Sequence, residues 1–351
     1  MGPKAEESGL EVNMDERTRL LDVLQKRTVD RHPVLCPGGM MNMVVTELMD
    51  AAESWWPKAH SYPEEMARLT LAANRLAGIE NVGVPFCMTV EAEAMGALID
   101  MGSRSTEPRV ASYAISHLDD VDRLPAIDVT KGRAKVCVEA VRILRQKLPG
   151  TPVIANLTGP VSLATSLIDP LLFYRAMITS KTGVHRLMKT VTRNLSEFGS
   201  ALIEAGADLV CIADPSATGE LLGRKSFSEF TIPYINELTV YFREKYKVPC
   251  IVHICGRIRP LGTVLSALEA EVLSVDSITS IKVLKEYAPD KIAMGNVSTY
   301  LLAEGDPERV LRSGKLCLKR GADILAPACG ISPLTSIANI KALSRAVLDR
   351  D

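Results

Sequence analysis

The order of apolar and polar residues along the chain alternates between two spacings. Residues 15–25 place apolar side chains at the interval of an amphipathic helix, and residues 33–38 form a short apolar run that ends in turn residues. Further apolar runs, rich in β-branched residues, are separated mostly by segments rich in Ala, Leu and Glu. The clearest of these runs occupy residues 152–156, 208–214, 250–255, 272–276, 292–296 and 323–327. The pattern therefore predicts strands that alternate with helices.

Strands that are apolar on both faces indicate a parallel sheet covered by helices, because crossover connections place the helices there. Eight such units close a (β/α)8 barrel, or TIM barrel, and a chain of 351 residues is long enough for one. We expect residues 1–14 to be a polar N-terminal tail and residues 15–351 to be a single α/β barrel domain with an N-terminal helical extension. An open doubly wound sheet is the alternative, but no phosphate-binding glycine motif follows a predicted strand.

Composition and charge exclude several classes of partner. The chain has 41 basic and 42 acidic residues, a net charge of −1, and lacks the basic excess that is typical of nucleic-acid-binding domains. Its main apolar stretch, residues 151–168, is interrupted by Asn156 and Gly159, so we expect no membrane span. The first 13 residues are polar, which predicts a cytoplasmic protein without a signal peptide. The eight scattered cysteines favour reduced thiols, some of them metal ligands.

Reactive side chains follow the late predicted strands. They are Asp214, His253 with Cys255, Asp276, Asn296 and Cys329. In a (β/α)8 barrel the C-terminal ends of the strands share one rim, so residues far apart in sequence converge there. Strand alternation also places His253 and Cys255 on the same face of their run, with Cys250 on the other face. The sequence therefore predicts a cluster of polar side chains at the rim.

Three of these side chains have the chemistry of a zinc site. Cys329 precedes a glycine at its strand end, as Cys255 does, and both strand ends lie on the predicted rim. Two thiolates and one imidazole suit Zn²⁺, and three protein ligands with an open position are typical of catalytic zinc. His253 and Cys255 alone are also consistent with an ordinary buried pair, because both residue types are common in protein cores.

Other candidate residues have ordinary structural interpretations. Asp214 precedes a proline, which is also consistent with the start of a helix, and Asn296 is also consistent with a residue that orders a turn. The remaining histidines are predicted at the surface or at helix caps: His32, His60, His117 and His185.

Several segments of the chain resemble those of a known family. Residues 252–256 and 325–333 resemble the zinc motif of the methylcobamide:coenzyme M methyltransferases, which belong to the uroporphyrinogen decarboxylase superfamily. The resemblance extends to residues 29–33, 56–60, 90–96, 159–160, 205–208, 212–215 and 295–298. Decarboxylases of this superfamily carry an Arg-Gln-Ala-Gly-Arg stretch after the first strand, whose arginines pair with substrate carboxylates. Residues 36–42 occupy that region here and contain no arginine, so decarboxylation is excluded.

The resemblance implies a catalytic barrel of the uroporphyrinogen decarboxylase type in which His253, Cys255 and Cys329 bind Zn²⁺. The zinc activates a thiol for in-line attack on the methyl group of a methylcobalamin-type corrinoid, which a separate small corrinoid-binding protein delivers. Asp276 stands where the family has an acidic residue near the metal. It is shorter than the Glu expected there, so two alternatives stay open: Asp276 fills the fourth position until the acceptor displaces it, or it lies beside the metal without binding it. Asp214 is the second expected catalytic residue, and Asn296 is expected to contact the cofactor or the acceptor.

The methyl acceptor is the open question at this stage. Coenzyme M is the expected acceptor, and tetrahydrofolate, with the same zinc chemistry, is the alternative. A third hypothesis is a barrel that binds a porphyrin or corrinoid without transferring a methyl group and uses zinc structurally.

Overall fold

The computed structural model describes residues 14–348, so all but the last residue of the predicted tail lies outside the described range. The strands are β1 (Val82–Val84), β2 (Leu98–Asp100), β3 (Arg109–Ser112), β4 (Val153–Thr158), β5 (Leu209–Ala213), β6 (Cys250–Ile254), β7 (Val272–Val275) and β8 (Ile292–Met294). The helices of the first half are α1 (Glu16–Leu24), α2 (Thr46–Ala52), α3 (Pro63–Ala77), α4 (Val90–Ala94), α5 (Gly132–Lys147), α6 (Pro160–Leu167) and α7 (Pro170–Thr179). Those of the second half are α8 (Lys181–Glu204), α9 (Gly219–Phe230), α10 (Ile232–Tyr246), α11 (Ile281–Tyr287), α12 (Thr299–Glu304), α13 (Pro307–Lys319) and α14 (Ile337–Arg345). Short 3₁₀ helices cover Lys58–His60, Leu118–Arg123 and Gly262–Ala267.

A closed ring of parallel segments confirms the predicted (β/α)8 barrel. Six strands form a parallel sheet in the order β1-β4-β5-β6-β7-β8. Two bridged segments complete the ring: Val34 pairs with Leu325, and Ile324 pairs with Met294 of β8, both in parallel. The backbone N–H of Glu80 donates to the carbonyl of Val34 over 2.9 Å, which joins the first segment to the start of β1.

The two closing segments are shorter than the sequence predicts. The runs at 33–38 and 323–327 were expected to be strands, but they pair with their neighbours through isolated bridges: Val34 with Leu325, Ile324 with Met294, and Pro327 with Val297. Both runs contain proline, at Pro33, Pro37 and Pro327, and proline has no N–H to donate to a ladder. On this side the barrel therefore closes through isolated bridges rather than through a continuous ladder.

The barrel core has an inner layer and an outer layer. Along β6, Ile251 lies in the inner layer, while Cys250, Val252 and Ile254 pack outward against the helices. The inner layer consists of Leu35, Met41, Ile154, Leu209, Cys211, Ile251, Val272, Ile292, Met294, Ile324 and Ala326, together with Leu20 and Val23 from α1. This alternation directs His253, two residues after Ile251, toward the barrel interior.

Helix α1 packs against the inner layer of the barrel. Asp15 caps its N-terminus by accepting a hydrogen bond of 2.7 Å from the backbone of Thr18. Leu20 is fully buried in the inner layer. The buried guanidinium of Arg19 forms ion pairs with Asp30 at 2.7 Å and with Glu80 at 3.1 Å. Burial of an apolar side chain such as Leu20 contributes roughly 1.5–3 kcal/mol to folding.

Two further features bear on the predictions from sequence. Strands β2 and β3 form an antiparallel hairpin that is joined by residues 101–108. Within residues 14–348, no single helix is both long and apolar enough to cross a membrane. Only the pair α6 and α7 meets that requirement together, and the two helices are bent by 114°.

Candidate metal centre

Three side chains from distant parts of the chain meet at the C-terminal rim of the barrel. His253 is the fourth residue of β6, Cys255 follows that strand, and Cys329 follows the segment that closes the barrel. One potential ligand atom from each lies within 4.8 Å of those of the other two. The two sulfur atoms are 3.9 Å apart. Gly256, with a φ of +69°, lets the backbone turn away directly after Cys255.

The two ring nitrogens of His253 differ in their hydrogen bonding. The side chain is fully buried, and its Nδ1 lies 3.0 Å from the hydroxyl of Ser274 on the neighbouring strand. Its Nε2 is buried and has no hydrogen-bond partner among residues 14–348. An unpaired buried polar atom costs roughly 1–3 kcal/mol. A nitrogen lone pair beside two thiols is the donor set that Zn²⁺ prefers, so these residues fit the expected metal.

The two thiols share a hydrogen bond that separates their acidities. Cys255 lies close enough to Cys329 for this bond, and both side chains are partly accessible. The bond raises the pKa of Cys255, aided by burial, and lowers the pKa of Cys329. The negative charges of Asp276 and Glu107 act in the opposite direction on the pKa of Cys329.

Asp276 lies beside the three side chains and is not part of their group. Its Oδ2 is 3.5 Å from the sulfur of Cys255, and its Oδ1 accepts a 2.9 Å hydrogen bond from the backbone of Ile278. Asn296 holds the same loop, because its Nδ2 donates to the carbonyls of Asp276 at 3.0 Å and Thr279 at 2.7 Å. The contacts of Asn296 are those of a residue that orders a turn, and through this turn it supports Asp276.

Asp214 follows β5 and is fully buried. Its Oδ1 accepts hydrogen bonds from the backbone and the hydroxyl of Ser162, at 2.8 and 2.6 Å, and its Oδ2 accepts one of 3.0 Å from the backbone of Val161. Burial raises the pKa of Asp214 to about 6, against the effect of these hydrogen bonds. Both oxygens thus cap the start of α6, the helix after the neighbouring strand β4. A Cβ on Gly159 would lie 2.3 Å from the Cβ of Asp214, so only glycine fits there.

Comparison with known proteins gives the family. The family model for uroporphyrinogen decarboxylase matches residues 15–349. The chain belongs to the uroporphyrinogen decarboxylase family. This family member is 33% identical over 334 residues to the methylcobamide:CoM methyltransferase MtaA of Methanosarcina barkeri, covering 93% of this chain and 96% of the relative. It is 31% identical over 327 residues to the methylcobamide:CoM methyltransferase MtbA of Methanosarcina acetivorans, covering 93% and 95%.

A solved structure supports the same grouping. The structure of a methyltransferase from Methanosarcina mazei superposes with a TM-score of 0.88 at 34% sequence identity, covering 95% of this chain and 98% of that one. This uroporphyrinogen decarboxylase family member therefore groups with methyltransferases over nearly its whole length. The predicted family, barrel type and enzyme class, a methyltransferase, are confirmed.

A cleft of about 410 Å³ lies beside the three clustered side chains, and Cys329 is one of the residues that line it. Met40, Glu107 and Tyr300 contribute to its walls. Glu107 comes from the β2–β3 hairpin, and burial raises its pKa to about 7. The sequence analysis did not find Glu107, because a carboxylate in an irregular loop carries no signal of its position in space.

Two other residues were missed or misplaced by the sequence analysis. Ser274 was missed, although it lies two residues before Asp276 and so shares its strand face, which is a usable signal. The prediction that His60 is a surface or capping residue is wrong. His60 is 1% exposed and packs on Trp56, with the ring centroids 4.9 Å apart. Neither of its ring nitrogens has a hydrogen-bond partner in the described part of the chain.

Proposed function

We propose that this chain transfers a methyl group from a methylated corrinoid to a thiol, using Zn²⁺ held by His253, Cys255 and Cys329. The observation that carries the proposal is the convergence of these three side chains within 4.8 Å at the barrel rim, with the Nε2 of His253 unpaired. The names of the relatives, methylcobamide:CoM methyltransferases, supply the donor class and make coenzyme M the acceptor we propose. Residues 15–351 then form the catalytic barrel.

The side chains of the cluster match the needs of this reaction. Zn²⁺, when bound, lowers the pKa of a thiol, which is about 8.5 for free Cys, so that the acceptor reacts as a thiolate at neutral pH. A neutral His253 and the thiolates of Cys255 and Cys329 balance a divalent charge. The acceptor thiolate therefore brings an excess negative charge, which keeps its sulfur nucleophilic.

The reaction exchanges one bond for another. The acceptor sulfur attacks the methyl carbon, an S–C bond forms, and the Co–C bond breaks with its electron pair remaining on cobalt. The acceptor releases its thiol proton to solvent before the attack. Asp276, at 3.5 Å from the sulfur of Cys255, is placed to contact the incoming acceptor, and Asn296 fixes the loop that carries it. Asp214 acts at a distance by fixing the start of α6 at the rim.

A small corrinoid-binding protein is the partner that we propose for the open end of the barrel. Cys255 and Cys329 are partly exposed there, so a donor can approach them from solvent. We also propose a cytoplasmic setting, because all eight cysteines are free and a reducing compartment keeps them so.

The direct test measures bound zinc and the loss of methylcobalamin absorbance with coenzyme M. The wild-type protein should bind one zinc and demethylate methylcobalamin, whereas Cys255→Ala should lose both properties because the site loses a ligand. Cys137→Ala is the matched control, since Cys137 is fully buried in α5 and should leave both properties unchanged.

Other results of this test would favour the alternative acceptor or a barrel without methyl transfer, or would contradict the zinc mechanism. Demethylation with tetrahydrofolate and not with coenzyme M would replace the proposed acceptor. Bound zinc without demethylation by either acceptor would favour a barrel that binds a corrinoid or porphyrin without transfer. Full activity in a zinc-free Cys255→Ala protein would contradict the proposed mechanism.

A further inference from the structure

The segment at residues 36–42 contributes a side chain to the region beneath the metal centre. It forms a tight turn in which Gly38 and Met41 exchange backbone hydrogen bonds of 3.0 and 2.9 Å. The thiol of Cys36 also lies 3.2 Å from the carbonyl of Met41. This turn inserts Met41, which is fully buried, into the inner layer of the barrel.

Ser274 connects this methionine to the metal centre. It is the third residue of β7, is 1% exposed, and pairs in register with His253 on β6. Its hydroxyl oxygen lies 3.0 Å from the Nδ1 of His253 and 3.8 Å from the sulfur of Met41. The three side chains therefore form one buried chain of polar contacts.

The hydrogen-bonding capacities of the three groups allow one arrangement in which both contacts of Ser274 are hydrogen bonds. A thioether sulfur can only accept, and a serine hydroxyl has a single proton to donate. When Ser274 donates that proton to Met41, its oxygen must accept from His253, so the Nδ1 of His253 carries the hydrogen. A neutral imidazole with hydrogen on Nδ1 has its lone pair on Nε2, the atom that is buried without a partner.

We propose that Ser274 and Met41 are positioning residues that hold His253 as the Nδ1–H tautomer, with the Nε2 lone pair available to the metal shared with Cys255 and Cys329. This inference rests on the metal site of the proposed function. It gives the turn at 36–42 a role in a chain that lacks the arginines of the decarboxylases at this place. The hydrogen bond to a ligating histidine typically changes metal affinity by 10- to 100-fold.

The first test measures zinc affinity by competition with a chromophoric chelator. Ser274→Ala should raise the zinc dissociation constant about 10- to 100-fold. Ser274→Thr keeps the hydroxyl and should stay close to the wild type. Ser344→Ala is the matched control, because Ser344 is also buried. Its hydroxyl donates a 2.9 Å hydrogen bond to the carbonyl of Ala77 where α14 packs against α3.

The second test reads the tautomer directly. Nitrogen-15 NMR of the zinc-free protein with labelled histidine should show His253 protonated on Nδ1 in the wild type, and a mixture of tautomers in Ser274→Ala. Met41→Leu keeps the side-chain volume and removes the sulfur, so it should give a smaller increase in the mixed population.

The outcomes separate this inference from the proposed function. An unchanged zinc dissociation constant in Ser274→Ala, or an Nε2–H tautomer in the wild type, would overturn the inference even if the enzyme is active. An unchanged spectrum in Met41→Leu would overturn the part assigned to Met41. A wild-type protein that binds no zinc would instead remove the proposed function, while the NMR result would still report the tautomer.

Discussion

The strand-end residues differ in which of their polar atoms are already engaged. Asp214 uses both carboxylate oxygens to cap α6, whereas Asp276 keeps Oδ2 facing the sulfur of Cys255. His253 keeps Nε2 unpaired. The sequence predicted that these residues lie at strand ends, because each follows an apolar run that can be recognised in the amino-acid sequence. It could not distinguish a capping carboxylate from one that faces the cluster, because that depends on loops from other units.

Ser274 and Glu107 show a second limit at the residue scale. The contact between Ser274 and His253 requires the register of β6 against β7, which the sequence does not fix. Glu107 reaches the cleft because the β2–β3 hairpin carries it there. Strand alternation identifies residues that share a face, and it gives no information on which residues of other elements approach that face.

His60 should make the stability of the protein depend on pH in the acidic range. Burial lowers the pKa of His60 to about 3, from an ordinary value of 6.5. The unfolded state then binds the proton more tightly than the folded state. The stability that the protein has with a neutral His60 is therefore complete above pH 6.5 and is lost as the pH falls toward 3. A shift of this size corresponds to roughly 5 kcal/mol in the free energy of unfolding.

The measurement is urea unfolding of the wild type and of His60→Phe between pH 7 and pH 4. The wild type should lose more free energy of unfolding over this interval than the variant, which lacks the titrating ring. Equal pH slopes for the two proteins would show that His60 takes up a proton in the folded protein as readily as in the unfolded chain, and would contradict the lowered pKa.

At the scale of elements, the barrel closes by two kinds of pairing. Strands β4 to β7 pair through continuous ladders, whereas the segments around Val34 and Leu325 pair through bridges. The long runs were recognised in the sequence because they are apolar on both faces. The closing segments were predicted too long, because the pattern of hydrophobic residues does not reveal which ladder bonds the prolines remove.

Helix α1 should contribute to stability through its inward face. Leu20 is fully buried in the inner layer of the barrel, whereas Leu21, one position on, is only partly buried. Leu20→Ala should lower the free energy of unfolding by about 2–5 kcal/mol, because it leaves a cavity in a packed core. Leu21→Ala should cost clearly less, and chemical denaturation of both variants measures the difference. Similar losses for the two would mean that α1 packs differently.

At the scale of the whole molecule, His253, Cys255 and Cys329 come together only because the barrel is closed. Cys255 and Cys329 are 74 positions apart in sequence, yet their sulfurs lie 3.9 Å apart. Parallel strands bring their C-terminal ends to one rim, which is why these cysteines could be paired from sequence alone. The six other cysteines are buried. The fold thus leaves one pair of thiols out of eight in contact with solvent.

The most direct test of the account is X-ray absorption spectroscopy at the zinc edge of the purified protein. The account predicts two sulfur ligands at about 2.3 Å and one imidazole nitrogen at about 2.0–2.1 Å. Addition of coenzyme M should increase the sulfur count to three, because the acceptor takes the remaining position. A zinc ion with fewer than two sulfur ligands, or a spectrum that coenzyme M leaves unchanged, would contradict the account.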